Sequence, residues 1–237
     1  RIPLTIADAS IERGTITIIF QKVGYTTSIL AGMEPGDCLA ALLGPLGRPT
    51  HIEKVGHVVC VGGGIGVAPM HPIAQGFKAA GNKVTCIIGA RNKDLIIMED
   101  MMRAFADDVI IVTDDGSAGR KALVTEPLKE LCESTDNVPN LVIAIGPPIM
   151  MKFCAKTVEP FENIPVVVSL NTIMVDGTGM CGACRLTVGG ETKFACVDGP
   201  DFNAHLIDFD EIINRCKIYK EQEKKRDENC NLLKVTK

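Results

Sequence analysis

A chain of 237 residues, 46% hydrophobic and 23% charged, is long enough for one large domain or two modest ones with real cores. Its formal net charge of −4 argues against nucleic-acid binding as the main task, because neutralising phosphates takes a clustered basic surface. No apolar run reaches membrane-spanning length, since the best, residues 57–74, is broken by Gly62, Gly63, Gly64, Gly66, Pro69 and Pro72.

In chain order, the first 56 residues read as β-structure. Residues 14–20, GTITIIF, form a strand rich in β-branched side chains, and residues 36–47 a second strand ending in a Pro/Gly turn. From His57 the texture changes. Strands are predicted at 57–61, 84–89, 109–113, 141–145 and 165–169, with helices near 66–80, 95–106, 121–134 and 147–158. Short apolar strands alternating with helices imply a parallel sheet covered on both faces, an α/β domain beside the β-rich start. Residues 185–196 read as a hairpin turning at Gly189 and Gly190. Asp208 then opens a helix with Glu211 placed for a capping box and Ile212, Cys216 and Tyr219 as its apolar stripe. The tail, 217–237, carries seven Lys/Arg against four Asp/Glu and reads as a solvated helix end that frays.

Ten cysteines in a chain this large, with no secretory signal, do not call for disulfide staples. Cys38, Cys60, Cys86, Cys132 and Cys154 are scattered singly and read as small buried hydrophobes. The four histidines, His51, His57, His71 and His205, show no ligand or triad spacing and read as structural.

Two stretches carry chemistry. In HVVCVGGGIGVAPMHP (57–72) a strand runs through a glycine turn into a helix, where backbone amides and a helix N-terminus suit a pyrophosphate. The third position of the dehydrogenase fingerprint falls on Val67 or Pro69 rather than Gly or Ala, and Arg91 stands where an acidic ribose partner is usual. Candidate nucleotide residues are Gly62, Gly63, Gly64, Gly66, Pro69, Gly89, Ala90, Arg91, Gly146, Pro147 and Pro148. Asp114, with Asp115, ends a strand near the expected crevice and is either a ribose contact or part of a plain turn. In DGTGMCGACRLTVGGETKFAC (176–196) the spacing from Asp176 through Cys181 and Cys184 to Cys196 follows the plant-type C-x4-C-x2-C…C pattern of [2Fe–2S] proteins, with aspartate in the first slot. Gly177, Gly179 and Gly182 free the backbone to wrap a cluster and aim amides at its sulfurs. A Cys3Asp zinc site shares the C-x2-C, and Asp198, Cys216 or Cys230 are rivals for the fourth ligand.

GGGIGVAP, GARN (89–92) and GPP (146–148) together resemble the ferredoxin–NADP reductase superfamily, as the diphosphate turn, the ribose-side segment and the nicotinamide side facing the flavin. The resemblance leaves NADH against NADPH open. It implies that FAD is held by an Arg-x-Pro-x-Ser/Thr variant at Arg1, Pro3 and Thr5, with Leu4 in the aromatic slot, and by Gly24, Thr26 and Thr27 at a loop-to-helix start. On residues alone, that second segment reads equally well as a surface turn capped by threonine. The superfamily's barrel has strands ahead of this arginine that are absent here, and the chain begins at Arg1 rather than Met, so its start is expected to be missing. The cysteine loop, MVDGTGMCGACRLTVGGETKFACVDGP, resembles small subunits of NADH-dependent reduced ferredoxin:NADP oxidoreductases. More distantly it is similar to electron-transfer subunits of dihydroorotate dehydrogenases, which have cysteine at the slot of Asp176.

The resemblance implies a cytoplasmic electron-transfer subunit with FAD, NAD(H) and one [2Fe–2S] cluster, exchanging hydride between nicotinamide and flavin and passing single electrons through the cluster to a larger flavin/[4Fe–4S], glutamate-synthase-like partner, with ferredoxin reached indirectly. It divides the chain into part of an FAD-binding barrel (1–54), a nucleotide domain (55–170), a cluster domain (171–206) and a terminal helix and tail (207–237). A dihydroorotate dehydrogenase subunit and a non-catalytic zinc-binding interaction module are the alternatives.

Overall fold

The computed structural model describes residues 2–228, so Arg1 and Cys230 lie outside the described residues. The chain opens with an antiparallel pair, β1 (Ile6–Ser10) and β2 (Thr15–Ile18), followed by the short helix α1 (Tyr25–Leu30). Residues 36–47 do not form the expected strand. Leu39, Leu42, Leu43 and Leu46 are all about half exposed or more, and Gly36, Gly44 and Gly47 take positive φ. An extended segment with no neighbouring strand leaves its N–H and C=O groups to solvent, so a run of leucines alone does not make a strand. Within the described residues no barrel closes around β1 and β2.

The α/β alternation forms as expected. β3 (His57–Gly63), α2 (Val67–Ala79), β4 (Lys83–Ala90), α3 (Glu99–Arg103), β5 (Asp108–Thr113), the two-residue β6 (Arg120–Lys121), α4 (Thr125–Glu133), β7 (Leu141–Ile145), α5 (Pro148–Val158) and β8 (Val166–Ser169) follow in order. Then come the hairpin β9 (Arg185–Val188) and β10 (Glu191–Phe194), α6 (Ala195–Asp198), β11 (Asp201–Asn203), α7 (Phe209–Arg215) and α8 (Lys220–Glu228). The main sheet has the order β11-β8-β7-β3-β4-β5-β6, parallel throughout except for the antiparallel edge strand β11.

Alternation along each strand splits the sheet between two cores. Val58, Cys60, Cys86, Ile88 and Ile143 face Met70, Ala74 and Phe77 of α2 and Met102 of α3. Val59, Val61, Ile87, Val142, Ala144, Val166 and Val168 face α4 and α5 through Leu128, Met151 and Cys154. The second core does not stop at the sheet. It runs on through Leu170, Cys184, Leu186, Cys196, Phe202, Phe209 and Ile212, joining the cysteine loop and α7 to the nucleotide sheet.

Several boundaries differ from expectation. The helix expected over 95–106 shrinks to α3, because Lys93–Leu95 is a 3-10 turn and Met98 sits at φ 58, outside helical space. Arg120 and Lys121 pair with β5, which delays α4 to Thr125. At α7, Asp208 accepts from the amides of Asp210 and Glu211, but Glu211 reaches across to Thr187 N at 3.0 Å instead of returning to Asp208, so the box is half-formed. Its buried residues are Phe209 and Ile212; Cys216 and Tyr219 follow the helix end and are exposed. Cys38 is exposed, unlike the four other scattered cysteines.

Buried polar groups staple the entry into the sheet. Asn82 accepts from the amides of Val55 and Gly56 and donates to Glu53 O and Phe77 O, using all its capacity. His57 Nδ1 donates to Asn137 O at 3.0 Å, and Nε2 accepts from Thr85 Oγ1 at 2.9 Å. Burial lowers its pKa below the ordinary 6.5. In the unfolded chain His57 therefore takes up its proton first as pH falls, and stability contributed by the neutral, buried ring is lost as pH drops from 6.5 towards the lower folded value. Urea-unfolding midpoints measured above and below this window are expected to fall on acidification, and to fall less steeply in His57→Gln. Equal slopes would remove His57 as the source.

Candidate functional site

The sheet order places a switch point beside β3: the chain builds outward through β4 and β5 on one side and β7 and β8 on the other. Loops leaving the carboxyl ends of β3 and β7 diverge there and leave a crevice, the usual ligand position in open α/β sheets. Gly62 to Gly66 leave β3, Gly146, Pro147 and Pro148 leave β7, Gly89, Ala90 and Arg91 leave β4, and Asp114 leaves β5. All the sequence-predicted nucleotide residues thus lie along one rim, with Pro69 in the first turn of α2.

The glycines there do different work. A Cβ on Gly66 would stand 2.2 Å from Ile145 O, and one on Gly63 2.3 Å from Met150 Sδ, so these positions let β3, β7 and α5 close together. Gly64, at φ +55, has nothing within 4 Å of its Cβ position and presents bare backbone to open space. No side chain caps the start of α2 and no acidic residue stands in its first turn, so its positive end is uncompensated. That is a fit for a diphosphate. Asp115 accepts from Ser117 N and Oγ at 2.9 and 2.6 Å and makes the plain turn, whereas Asp114 is exposed beside Ala90.

The four residues expected as ligands stand as two pairs in the cysteine loop. Cys184 and Cys196 are buried with Sγ atoms 3.2 Å apart, and Cys196 N donates to Cys184 Sγ at 3.5 Å. Asp176 and Cys181 form the other pair, exposed, with the Asp176 N–H directed at Cys181 Sγ. Among the described residues no three His, Cys, Asp or Glu side chains converge as an ion-holding group. Burial, with the neighbouring Cys184 thiol, pushes Cys196 up to about 11. The Ala183 N–H aimed at its sulfur lowers Cys181, and the Thr178 hydroxyl lowers Asp176. Asp176 also accepts from the amides of Thr178 and Met180, at 3.0 and 3.1 Å.

The donor set fits a [2Fe–2S] cluster. Three thiols are available, amides of Ala183, Gly179 and Cys196 point at sulfur, and Gly177, Gly179 and Gly182 take positive φ to turn those amides inward. Among the rivals for a fourth ligand, Asp198 is engaged by Phe194 N at 2.8 Å and by Arg48 at 3.6 Å, and Cys216 sits exposed at the end of α7.

At the flavin candidates, Thr27 Oγ1 accepts from the amides of Val23 and Gly24 and donates to Gly24 O, which is a capping role. Thr26 is exposed, as are Pro3 and Thr5, and Leu4 is half-buried on the approach to β1. Sequence reasoning missed four arginines here, of which only Arg185 stands inside a motif, directly after Cys184. Arg226 lies over the Tyr25 ring at 4.8 Å, Arg185 and Arg215 donate to carbonyls inside the cysteine loop, and Arg48 N bonds Gly199 O at 2.7 Å.

Comparison with known proteins follows the same division. Residues 60–156 match the oxidoreductase NAD-binding domain, and residues 171–208 match the iron-sulfur cluster binding domain of dihydroorotate dehydrogenase B. The chain is 49% identical over 224 residues to the dihydroorotate dehydrogenase B (NAD(+)) electron transfer subunit homolog of Thermotoga maritima, covering 94% of this chain and 78% of that protein. It is 35% identical over 210 residues to the electron transfer subunit of Bacillus caldolyticus, covering 86% and 78%. A solved chain of the NADH-dependent reduced ferredoxin-NADP oxidoreductase, studied for flavin-based electron bifurcation, superposes with a TM-score of 0.88 at 47% identity, covering 94% of this chain and 80% of that one. The cytochrome b5 reductase domain of Ulva prolifera nitrate reductase, at TM-score 0.51 and 16% identity over 69% of this chain and 75% of its own, shows the shared fold alone.

The two kinds of glycine separate experimentally. Gly66→Ala drives a methyl into the Ile145 carbonyl and is expected to cost at least the roughly 1–3 kcal/mol typical of overpacking. Gly64→Ala meets only the left-handed backbone penalty, about 1–2 kcal/mol. Equilibrium urea unfolding orders them, and a Gly64 variant less stable than the Gly66 variant contradicts the assignment.

Proposed function

The chain belongs to the family of dihydroorotate dehydrogenase B-type electron-transfer subunits, and from that membership we propose that it moves electrons between NAD(H) and FAD and onward through a [2Fe–2S] cluster to a partner subunit. It is an oxidoreductase subunit with NAD-binding and iron–sulfur domains. The observation that carries the reading is the cysteine loop: thiols met by backbone amides, in one continuous core with a nucleotide-type sheet. When bound, flavin takes the two electrons of a hydride and releases them singly, which suits a cluster that accepts one.

The residues divide the work. Gly64, Gly66 and the start of α2 would seat a nucleotide diphosphate, with Arg91 and Asp114 on the ribose side and Gly146, Pro147 and Pro148 on the nicotinamide side. Gly24, Thr26 and Thr27, with Pro3, Leu4 and Thr5 before β1, would hold FAD, and residues 1–54 would belong to its barrel. Asp176, Cys181, Cys184 and Cys196 would hold the cluster within a domain spanning 171–206. No side chain is assigned as an acid or base, because orientation and exclusion of water are what such transfer asks of the protein.

For the partner, we favour a larger flavin/[4Fe–4S], glutamate-synthase-like subunit. Asp176 in the first ligand slot and the likeness to the solved NADH-dependent oxidoreductase chain support it, while the relatives' names support an orotate-producing partner as the second reading. No helix among the described residues is long and apolar enough to cross a membrane. None of the nine cysteines among the described residues forms a disulfide, which suits the reducing cytoplasm.

The test is anaerobic purification with iron and acid-labile sulfide analysis, followed by the visible spectrum on adding NADH or NADPH. Bound sulfide and bleaching by either nucleotide are expected. Cys196→Ser and Asp176→Ala are expected to lose or alter the cluster spectrum, and Asp198→Asn to keep it. Zinc without sulfide would instead identify the metal-binding module.

A further inference from the structure

Two of the three peptide units between Cys181 and Cys184 are held by guanidinium groups. Arg185 Nη1 donates to Gly182 O at 3.1 Å, and Arg215 Nη2 donates to Ala183 O at 2.9 Å. In a planar trans peptide the C=O and N–H point in opposite directions. Capture of Gly182 O therefore turns the Ala183 N–H the other way, where it meets Cys181 Sγ. Capture of Ala183 O likewise directs the Cys184 N–H away from α7.

The two arginines reach the loop from different elements. Arg185 is the first residue of β9 and also returns its own amide to Gly182 O at 3.3 Å. Arg215 is half-buried in the last turn of α7, a helix fixed by burial of Phe209 and Ile212 and by the bond from Thr187 N to Glu211. A planar fork with several donors holds a carbonyl at lower entropic cost than a flexible ammonium does.

We propose that Arg185 and Arg215 are positioning residues that fix the C-x2-C peptides, Arg185 by aiming the Ala183 amide at Cys181 Sγ and Arg215 by locking the peptide that follows it, and that this arrangement sets the cluster's reduction potential and its retention. The inference rests on the cluster assignment above. Amides directed at thiolate sulfur stabilise the more negative, reduced centre and raise its potential, and outer partners of metal ligands typically contribute 10–100-fold to metal affinity.

The experiment uses the full chain, purified without air with its cluster, as parent, Arg185→Met, Arg215→Met, the double variant and Arg215→Lys. Thermal melting and circular dichroism report the fold; should the half-buried Arg215 variants fail to fold, the exposed Arg185→Met carries the test. At the potential where the parent cluster is half reduced, the Met variants are expected to be less reduced. Iron release to a chelator is expected to quicken about tenfold, and Arg215→Lys to recover part of both effects. In protein labelled with 15N-alanine, the hyperfine coupling of the Ala183 amide to the reduced cluster should weaken in Arg185→Met and in the double variant. Parent potential and release rate in the double variant overturn the proposal. A lowered potential in Arg185→Met with undiminished alanine coupling also overturns it, since that is charge acting without orientation. A parent devoid of inorganic sulfide sinks the cluster reading itself, a distinguishable failure.

Discussion

One apolar core governs this molecule. The packing that closes the sheet against α4 and α5 continues without a break into Leu170, Leu186, Phe202, Phe209 and Ile212, and it contains the Cys184 and Cys196 side chains. Each fully buried residue of that size contributes on the order of 1.5–3 kcal/mol, whereas a single hydrogen bond contributes about 0.5–1.5 kcal/mol net. Hydrophobic burial therefore decides where the thiols stand. The amides and guanidiniums around them decide only which way the local peptides face. The nucleotide crevice and the cysteine loop are fixed relative to each other for the same reason: they hang from one core.

Much of this was legible in the sequence, because the relevant signals are periodic or local. Five of the six parallel strands were readable from β-branched runs between helices, and the hairpin from Gly189 and Gly190, which both take positive φ. The glycine turn and the C-x2-C loop were readable because few other residue types permit such close backbone approach. What failed was non-local. The leucines of residues 36–47 look like a strand, but strand formation depends on a neighbour that the local sequence cannot specify. Glu211 was read as a capping partner, yet the nearer demand came from the Thr187 amide on β9, across a tertiary contact. The shortening of α3 follows from Met98 at φ 58, a conformation its residue type does not announce.

The arginines show the same limit. Arg48, Arg185, Arg215 and Arg226 lie on separate elements and share no motif, yet each engages the cysteine half or α1. Long side chains reach partners set by the fold, so their roles emerge only once the elements are placed. The division between pairs, Cys184 with Cys196 inside and Asp176 with Cys181 outside, is likewise a product of burial and not of spacing.

The segment around Arg48 has a temporal meaning as well. Arg48 N bonds Gly199 O, and Thr50 Oγ1 donates to Asp201 at 2.5 Å across 151 positions of chain. On a ribosome adding about 5–20 residues each second, the early half waits on the order of ten seconds for those acceptors to be synthesised. The parallel strands β3 to β8 are all synthesised before then, whereas the edge strand β11 begins at Asp201 itself. The strap from the amino-terminal side can thus fasten only after the parallel strands and the cysteine loop have been made, onto acceptors at and just before β11.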